Sequence, residues 1–348
     1  PLHACEHFYL VTEPVPDLPT GLPTLRDTDN CIYVKEDAGR LLVGAFEPVA
    51  KPFGAEGLPT DRPFMQLDED WDHLAPVYEK ACERVPILGE IGIRLFFNGP
   101  ESFTPDDRYL LGETPELRNH FVATGFNSVG IQSAGGIGLA LAEWMRDGHP
   151  TMDLGTVDIR RALPFQADPE YLRERVTETL GRLYAVHWPF HQYRTARGIR
   201  KSPFYDRLAG RGACFGEAQG WERPNWYAPE GVKPEYVYSF SRQNWFDHSA
   251  AEHRAVRENV GLFDQTSFAK FRLQGPGAEE VLNQVSANDV AVEPGRIVYT
   301  QWLNERGGIE ADLTVTRIGD GHYLIISGVA SQVRDFHWLK RHIPDDAD

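Results

Sequence analysis

The chain has 348 residues, 41% hydrophobic and 25% charged, with a formal net charge of -16 at pH 7. That length accommodates roughly two or three domains with cores of their own. No run approaches the roughly 18 apolar residues of a membrane helix, and the acidic balance argues against a nucleic-acid or anionic-membrane surface, so neither partner is expected. In chain order, residues 2–12 read as a strand with His3, Cys5, His7 and Tyr9 on one face. A loop rich in proline follows (Pro14, Pro16, Pro19, Pro23). Residues 32–35 and 41–46 predict a hairpin turning at Ala38-Gly39, which sets Tyr33 directly opposite Gly44. A tyrosine facing a glycine either leaves an open patch where a small ligand sits or forms an ordinary aromatic–glycine pair.

Residues 70–85 predict a helix, with Pro76 marking its true start or a kink. Residues 91–97, 109–112 and 120–124 read as short strands, and Asn98 to Asp106 as a rigid, turn-rich loop. The run from Phe126 to Met145 couples a glycine-rich loop to a helix expected to begin near Gln132 or Ser133 and to stop at Gly148-His149-Pro150. Glycines remove the Cβ atoms that keep a planar ligand off the backbone. A helix start adds free N–H groups and the positive end of the macrodipole, which suits a ring that becomes anionic, as a reduced flavin does. The alternative is a packed corner with no ligand. A G-x-G-x-x-G dinucleotide fingerprint is not found.

Asp168-Pro169 opens a helix running towards Tyr184, and composition shifts at residues 197–203, a candidate boundary. Ser249-Ala250-Ala251-Glu252 reads as a capping box for a helix ending at Gly261. A strand (268–273), a helix (277–285), two paired strands (297–303 and 309–317) and a helix (333–343) follow. Strand alternation puts Asp312, Thr314 and Thr316 on one face and Leu313 and Val315 on the other. The four cysteines (Cys5, Cys31, Cys82, Cys214) form no C-x-x-C pair and read as scattered core thiols of a reducing compartment. His187 and His191 have an i, i+4 spacing, but Pro189 lies between them, so they read as structural and no metal is expected. Residue 1 is not methionine and the chain ends in acidic Pro344-Asp345-Asp346; both ends read as cut.

Several motifs resemble one family. Gly99-Pro100-Glu101-Ser102-Phe103-Thr104-Pro105-Asp106, Gly112-Glu113, Ala123-Thr124-Gly125-Phe126-Asn127 and the glycine-rich helix start look like the second half of the glycine-oxidase-type flavin domain of dimethylglycine and sarcosine dehydrogenases. Thr195-Ala196-Arg197-Gly198, Ser202-Pro203 and Gly212-Ala213-Cys214-Phe215-Gly216 resemble the family's junction between central and folate domains. Residues 260–268 and 303–313 resemble its aminomethyltransferase-like, tetrahydrofolate-binding domain. The resemblance implies an α+β (mixed α/β) fold in three parts. These are the C-terminal part of an FAD-dependent amine oxidoreductase domain (1–150), a central linker domain (151–203), and the N-terminal part of a folate domain (204–348).

It also implies an FAD enzyme that oxidises the N-methyl group of dimethylglycine or sarcosine and passes the one-carbon unit to tetrahydrofolate as 5,10-methylenetetrahydrofolate. Electrons would go to oxygen or to an electron-transfer flavoprotein. Location would be cytoplasmic in a bacterium and the mitochondrial matrix in a eukaryote. By the same resemblance His7 and Tyr33 are catalytic and Gly44 binds substrate. Gly125, Phe126, Asn127, Ser128, Val129, Gly130, Ile131 and Gln132 hold the cofactor. Asp312 is catalytic in the folate domain, and Asp312 and Thr314 bind folate; the family often has two adjacent acids where this chain has Ala311-Asp312. The implied flavin-linking histidine and ADP fingerprint lie before residue 1. Two other readings are a folate-dependent aminomethyl or methyl transferase without redox chemistry and a non-catalytic folate-binding protein.

Overall fold

The computed structural model describes residues 1–54 and 56–344; of the acidic end, Asp345 and Asp346 lie outside them. The chain forms two compact units. Pro1–Gly112, Val122–Val157 and Pro164–Ala196 make the first; Glu113–Phe121, Asp158–Leu163 and the chain from Arg197 make the second.

The first unit is built on an antiparallel sheet in the order β2 (Leu25–Asp27), β3 (Ile32–Asp37), β4 (Arg40–Ala45), β1 (His3–Thr12) and β5 (Pro52–Phe53), with β6 (Ile93–Phe103) on the other edge of β1. Because side chains alternate, each strand serves both faces. Phe8, Leu10, Ile32, Val34, Val43 and Phe96 pack on Leu74, Val77 and Ala81 of α1 (Trp71–Arg84). Cys5, Phe46 and Phe103 pack on Val176 and Leu180 of α3 (Pro169–Arg182). The short strands β7 (Leu110–Glu113) and β8 (Phe121–Thr124) lead into α2 (Gly130–Asp147).

Two local readings change. The α1 helix starts at Trp71, with Asp70 accepting from the His73 N–H at 3.1 Å, and Pro76 sits inside it. Proline there removes one backbone bond, a cost of about 3 kcal/mol, which burial of Leu74, Val77 and Ala81 at about 1.5–3 kcal/mol per large side chain offsets. The stretch from Asn98 is not a loop: β6 continues to Phe103 along the whole of β1. Pro100 is tolerated because its partner Glu6 donates its N–H to Lys51 O, away from β6, so the missing donor of Pro100 faces the free edge. Between α3 and Arg194 no helix aligns His187 with His191, and no metal-binding cluster occurs among the described residues. The α3 helix closes on Gly181, where an added Cβ would lie 2.6 Å from Pro48 Cα and 2.7 Å from Glu47 O. Gly181→Ala is therefore expected to destabilise the chain by about 1–3 kcal/mol in chemical denaturation.

The second unit contains α4 (Tyr205–Ala209), the hairpin of β9 (Ala213–Ala218) and β10 (Trp221–Tyr227), and α5 (Phe246–Glu258). The hairpin turns at Gln219-Gly220, both in the left-handed region that a type I′ turn demands. The α5 helix starts three residues before the expected capping box and ends at Glu258; Glu252 instead accepts the Tyr227 N–H at 2.7 Å. A four-stranded antiparallel sheet follows, ordered β11 (Ala269–Gln274), β14 (His322–Ser327), β13 (Ile309–Gly319), β12 (Ile297–Leu303). One face carries Trp302, Ala311, Leu313, Val315, Tyr323 and Ile325 against α6 (Ala278–Val285) and Leu339 of α7 (Gln332–His342). All four cysteines are free thiols, three of them buried.

Candidate functional site

Residues directly opposite in an antiparallel pair share a face. Tyr33, Gly44, Tyr9 and Phe97 form one row across β3, β4, β1 and β6, while His7–Gly99 and Cys5–Glu101 lie further along β1. The sheet thus brings His7, Tyr33 and Gly44 onto one face. Of the two readings for Tyr33 and Gly44, the structure shows the aromatic–glycine pair: a Cβ at Gly44 would lie 2.0 Å from Tyr33 Cζ, so the phenol ring rests on the glycine backbone. Phe46 lies 4.8 Å from the His7 ring and 6.2 Å from Tyr33, and stacks on Tyr184 at 3.7 Å. Arg26, opposite Tyr33 on β2, lies 3.8 Å over Tyr184. Phe46, Tyr184 and Arg26 were not foreseen, since only tertiary packing gathers them.

Burial, helped by Tyr184, Glu101 and Tyr9, pushes the Tyr33 hydroxyl up to about 12, so it stays protonated and acts as a donor. Burial pushes the Cys5 thiol to about 12, with Glu47, Glu101 and Glu6 adding to it, which removes it as a nucleophile. Gly44→Ala forces the ring off the sheet. A loss of about 1–3 kcal/mol in thermal stability is expected; a wild-type melting temperature would show that the ring does not need its glycine.

The glycine-rich loop reaches the same strand. Gly125, Asn127 and Ser128 have φ of 66°, 48° and 65°, a left-handed run that costs the non-glycine residues about 1 kcal/mol or more each. Two bonds to β6 and the residue after it hold it there. Buried Asn127 Oδ1 accepts the Thr104 N–H at 2.9 Å, and Ser128 Oγ donates to Glu101 Oε2 at 2.6 Å. The same Glu101 oxygen faces His7 Nε2 at 3.8 Å. An added Cβ at Gly125 would meet Leu2 and Thr104 at 2.6 and 2.7 Å. The α2 helix begins at Gly130, two residues earlier than expected, with Val129 as a cap that supplies no side-chain bond. Among the described residues the N–H groups of Gly130, Ile131 and Gln132 find no backbone acceptor; the first helical bond is Ser133 N–H to Val129 O at 3.1 Å. Gly130 and Ile131 border a cavity of about 380 Å³ lined also by Glu101, Ser102 and residues 123–128.

In the second unit Asp312, Thr314 and Thr316 face away from the core as alternation predicts, with Asp312 exposed. Gln301, its cross-strand partner, donates Nε2–H to Asp312 Oδ1 at 3.5 Å. The Tyr299 hydroxyl hydrogen-bonds the same carboxylate, which raises the phenol above its ordinary value. Tyr299 was missed because it precedes Asp312 by a whole hairpin. Ala311 is a core residue, so an acid at 311 would point into the apolar layer rather than beside Asp312. A second cavity of about 670 Å³ is lined by Arg223, Tyr227, His253 and Phe263 and holds none of the predicted residues.

Comparison with known proteins bears on both units. The FAD dependent oxidoreductase family model matches residues 1–144, the FAD dependent oxidoreductase central domain 147–202, and the GCVT N-terminal domain 204–348. The chain is 47% identical to 4-methylaminobutanoate oxidase (formaldehyde-forming) of Paenarthrobacter nicotinovorans, over 98% of this chain and 41% of that one. It is 37% identical to the mitochondrial pyruvate dehydrogenase phosphatase regulatory subunit of Mus musculus, over 100% and 40%. It is 35% identical to human mitochondrial sarcosine dehydrogenase, over 95% and 40%. The chain spans about 40% of the length of these relatives. No helix among the described residues is long and apolar enough to cross a membrane.

These matches support FAD and tetrahydrofolate as the cofactors. The residues present fit both. Unpartnered N–H groups at the start of α2, with Gly130 and Ile131 lining the adjacent cavity, suit an anionic ring edge. An exposed carboxylate with Tyr299 and Ile297 exposed on the same sheet face suits a flat heterocycle rich in N–H groups. Over nearly its whole length the chain is thus similar to the sarcosine and dimethylglycine dehydrogenases and to 4-methylaminobutanoate oxidase, and it joins a match to an FAD dependent oxidoreductase domain with a match to a GCVT N-terminal domain.

Proposed function

We propose that the polypeptide bearing this chain oxidatively demethylates dimethylglycine or sarcosine and transfers the one-carbon unit to tetrahydrofolate as 5,10-methylenetetrahydrofolate. FAD supplies the two-electron acceptor for the methyl C–H bond. The reacting amine must present a free lone pair, so the protein has to take up or hold the ammonium proton and orient the methyl group. His7 is suited to the first task, because an imidazole nitrogen can accept a proton. Tyr33 O–H, kept protonated, donates a hydrogen bond that orients the substrate, and Gly44 fixes the ring that carries it. Loss of hydride leaves a substrate iminium. Water converts that iminium to formaldehyde and the demethylated amine, whereas two folate nitrogens in turn bond its methylene carbon, the demethylated amine leaving as the bridge closes. Asp312 provides the negative charge that favours attack by the folate nitrogen, with Thr314 two residues along the same face.

The observation that carries the reading is the placement of His7 and Tyr33 on one sheet face, with the carboxylate of Glu101 joining His7 to the loop before α2. The test is an anaerobic titration of the intact FAD-loaded polypeptide with sarcosine, dimethylglycine and 4-methylaminobutanoate, followed at the flavin absorption band. Bleaching by one of the first two supports the proposal. Bleaching by the third alone moves the substrate to the longer amino acid on which the 47% identical relative acts by name. A second reading, a non-catalytic regulatory protein, is favoured by the 37% identity to a phosphatase regulatory subunit; binding of FAD with no bleaching by any amine would establish it over the first.

A further inference from the structure

We infer that Glu101 is a positioning residue that ties the amine-side histidine to the glycine-rich loop, an inference that rests on the oxidative reading above. The register makes this possible. Glu101 stands opposite Cys5 on β6, so it shares the face of His7 and reaches it diagonally past Gly99, which has no side chain to intervene. One carboxylate oxygen does two things: it accepts the Ser128 hydroxyl at 2.6 Å and faces His7 Nε2 at 3.8 Å.

Each partner needs that hold. Ser128 is a non-glycine residue at φ 65° next to Asn127 at φ 48°, a backbone that persists only where its surroundings fix it. Asn127 is fixed through Thr104 and Ser128 through Glu101. The His7 ring is wedged between Phe46 and Phe103, its Nδ1 is buried without a partner among the described residues, and Glu101 is the charged group its other nitrogen meets. A shift of the loop therefore moves the carboxylate, and the carboxylate moves the imidazole. Glu101 also lines the cavity beside the loop, and its effect on the amine side runs through His7.

The two links can be cut separately in the intact FAD-loaded polypeptide. Glu101→Gln keeps an oxygen that accepts from Ser128 but removes the charge facing His7. It should retain wild-type FAD content and melting temperature while anaerobic reduction by the amine slows about 10- to 100-fold, with the amine concentration for half-maximal rate changed far less. Ser128→Ala keeps the charge but frees the loop, and should weaken FAD binding to the apoprotein about 10-fold, read by fluorescence titration. Glu101→Ala should show both losses. An E101Q protein reduced at the wild-type rate overturns the inference, as does one whose rate falls only in proportion to lost FAD or lost stability. A wild-type flavin that no N-methyl amine reduces overturns the oxidative reading and this inference with it; a reducible wild type matched by E101Q overturns this inference alone.

Discussion

His7→Ala in the intact polypeptide is expected to lower amine-dependent flavin reduction by about 10²–10³-fold, within the range for loss of a positioned proton acceptor. The side chain is confined by Phe46 and Phe103, neither of which can accept a proton, and the variant leaves only the Glu101 carboxylate, which stood 3.8 Å from Nε2. Tyr33→Phe is a milder cut, about 10-fold, because it removes only the hydroxyl and leaves the ring seated on Gly44. Stopped-flow reduction under anaerobic conditions measures both. Dithionite reduction should be unaffected, which separates damage to the amine site from damage to flavin binding. Unchanged amine-dependent rates would remove both residues from the mechanism.

Asp312→Ala has the second large effect, on product rather than rate. Amine oxidation should proceed at the wild-type rate, but in the presence of tetrahydrofolate the product should change from methylene-folate to free formaldehyde. Ala311 faces the core and the next outward side chain is Thr314, so among residues 311–314 this face carries a single carboxylate. Gln301 and Tyr299 both approach it, and neither carries the negative charge that steadies a developing cation. Removing several kcal/mol of transition-state stabilisation from capture, on the order of 3 kcal/mol for one preorganised group, leaves hydrolysis to compete by about 10²-fold. Unchanged partitioning between formaldehyde and methylene-folate would refute the role. The formaldehyde-forming name of the 47% identical relative makes the wild-type ratio itself informative.

Much of this architecture is legible in the sequence where one periodicity dominates. The β3–β4 register follows from the turn at Ala38-Gly39, and with it the pairing of Tyr33 with Gly44. Asp168-Pro169 specifies the start of α3, and alternation through β13 separates Asp312 and Thr314 from Leu313 and Val315. The failures have local causes. Asn98, Gly99 and Pro100 are turn residues, so β6 was cut short and Glu101 fell into a loop; the strand survives because β1 supplies its ladder on one side and proline faces the other. The Ser249–Glu252 pattern mimics a helix cap, but Glu252 serves the Tyr227 backbone instead. Sequence shows that Gly44 lacks a side chain but leaves open whether a ligand or the facing tyrosine covers it; the tyrosine does. Phe46, Tyr184 and Arg26 come from three separate segments, and only the sheet and α3 together bring them near His7.

The central claim is that the ring of FAD lies against the amino end of α2, beside the sheet face that carries His7. The most direct measurement is a crystal structure of the intact polypeptide loaded with FAD. The account predicts the pyrimidine edge of the ring within hydrogen-bond distance of the N–H groups of Gly130, Ile131 and Gln132. Density for those three groups capped by protein side chains, with the ring bound elsewhere, would contradict it.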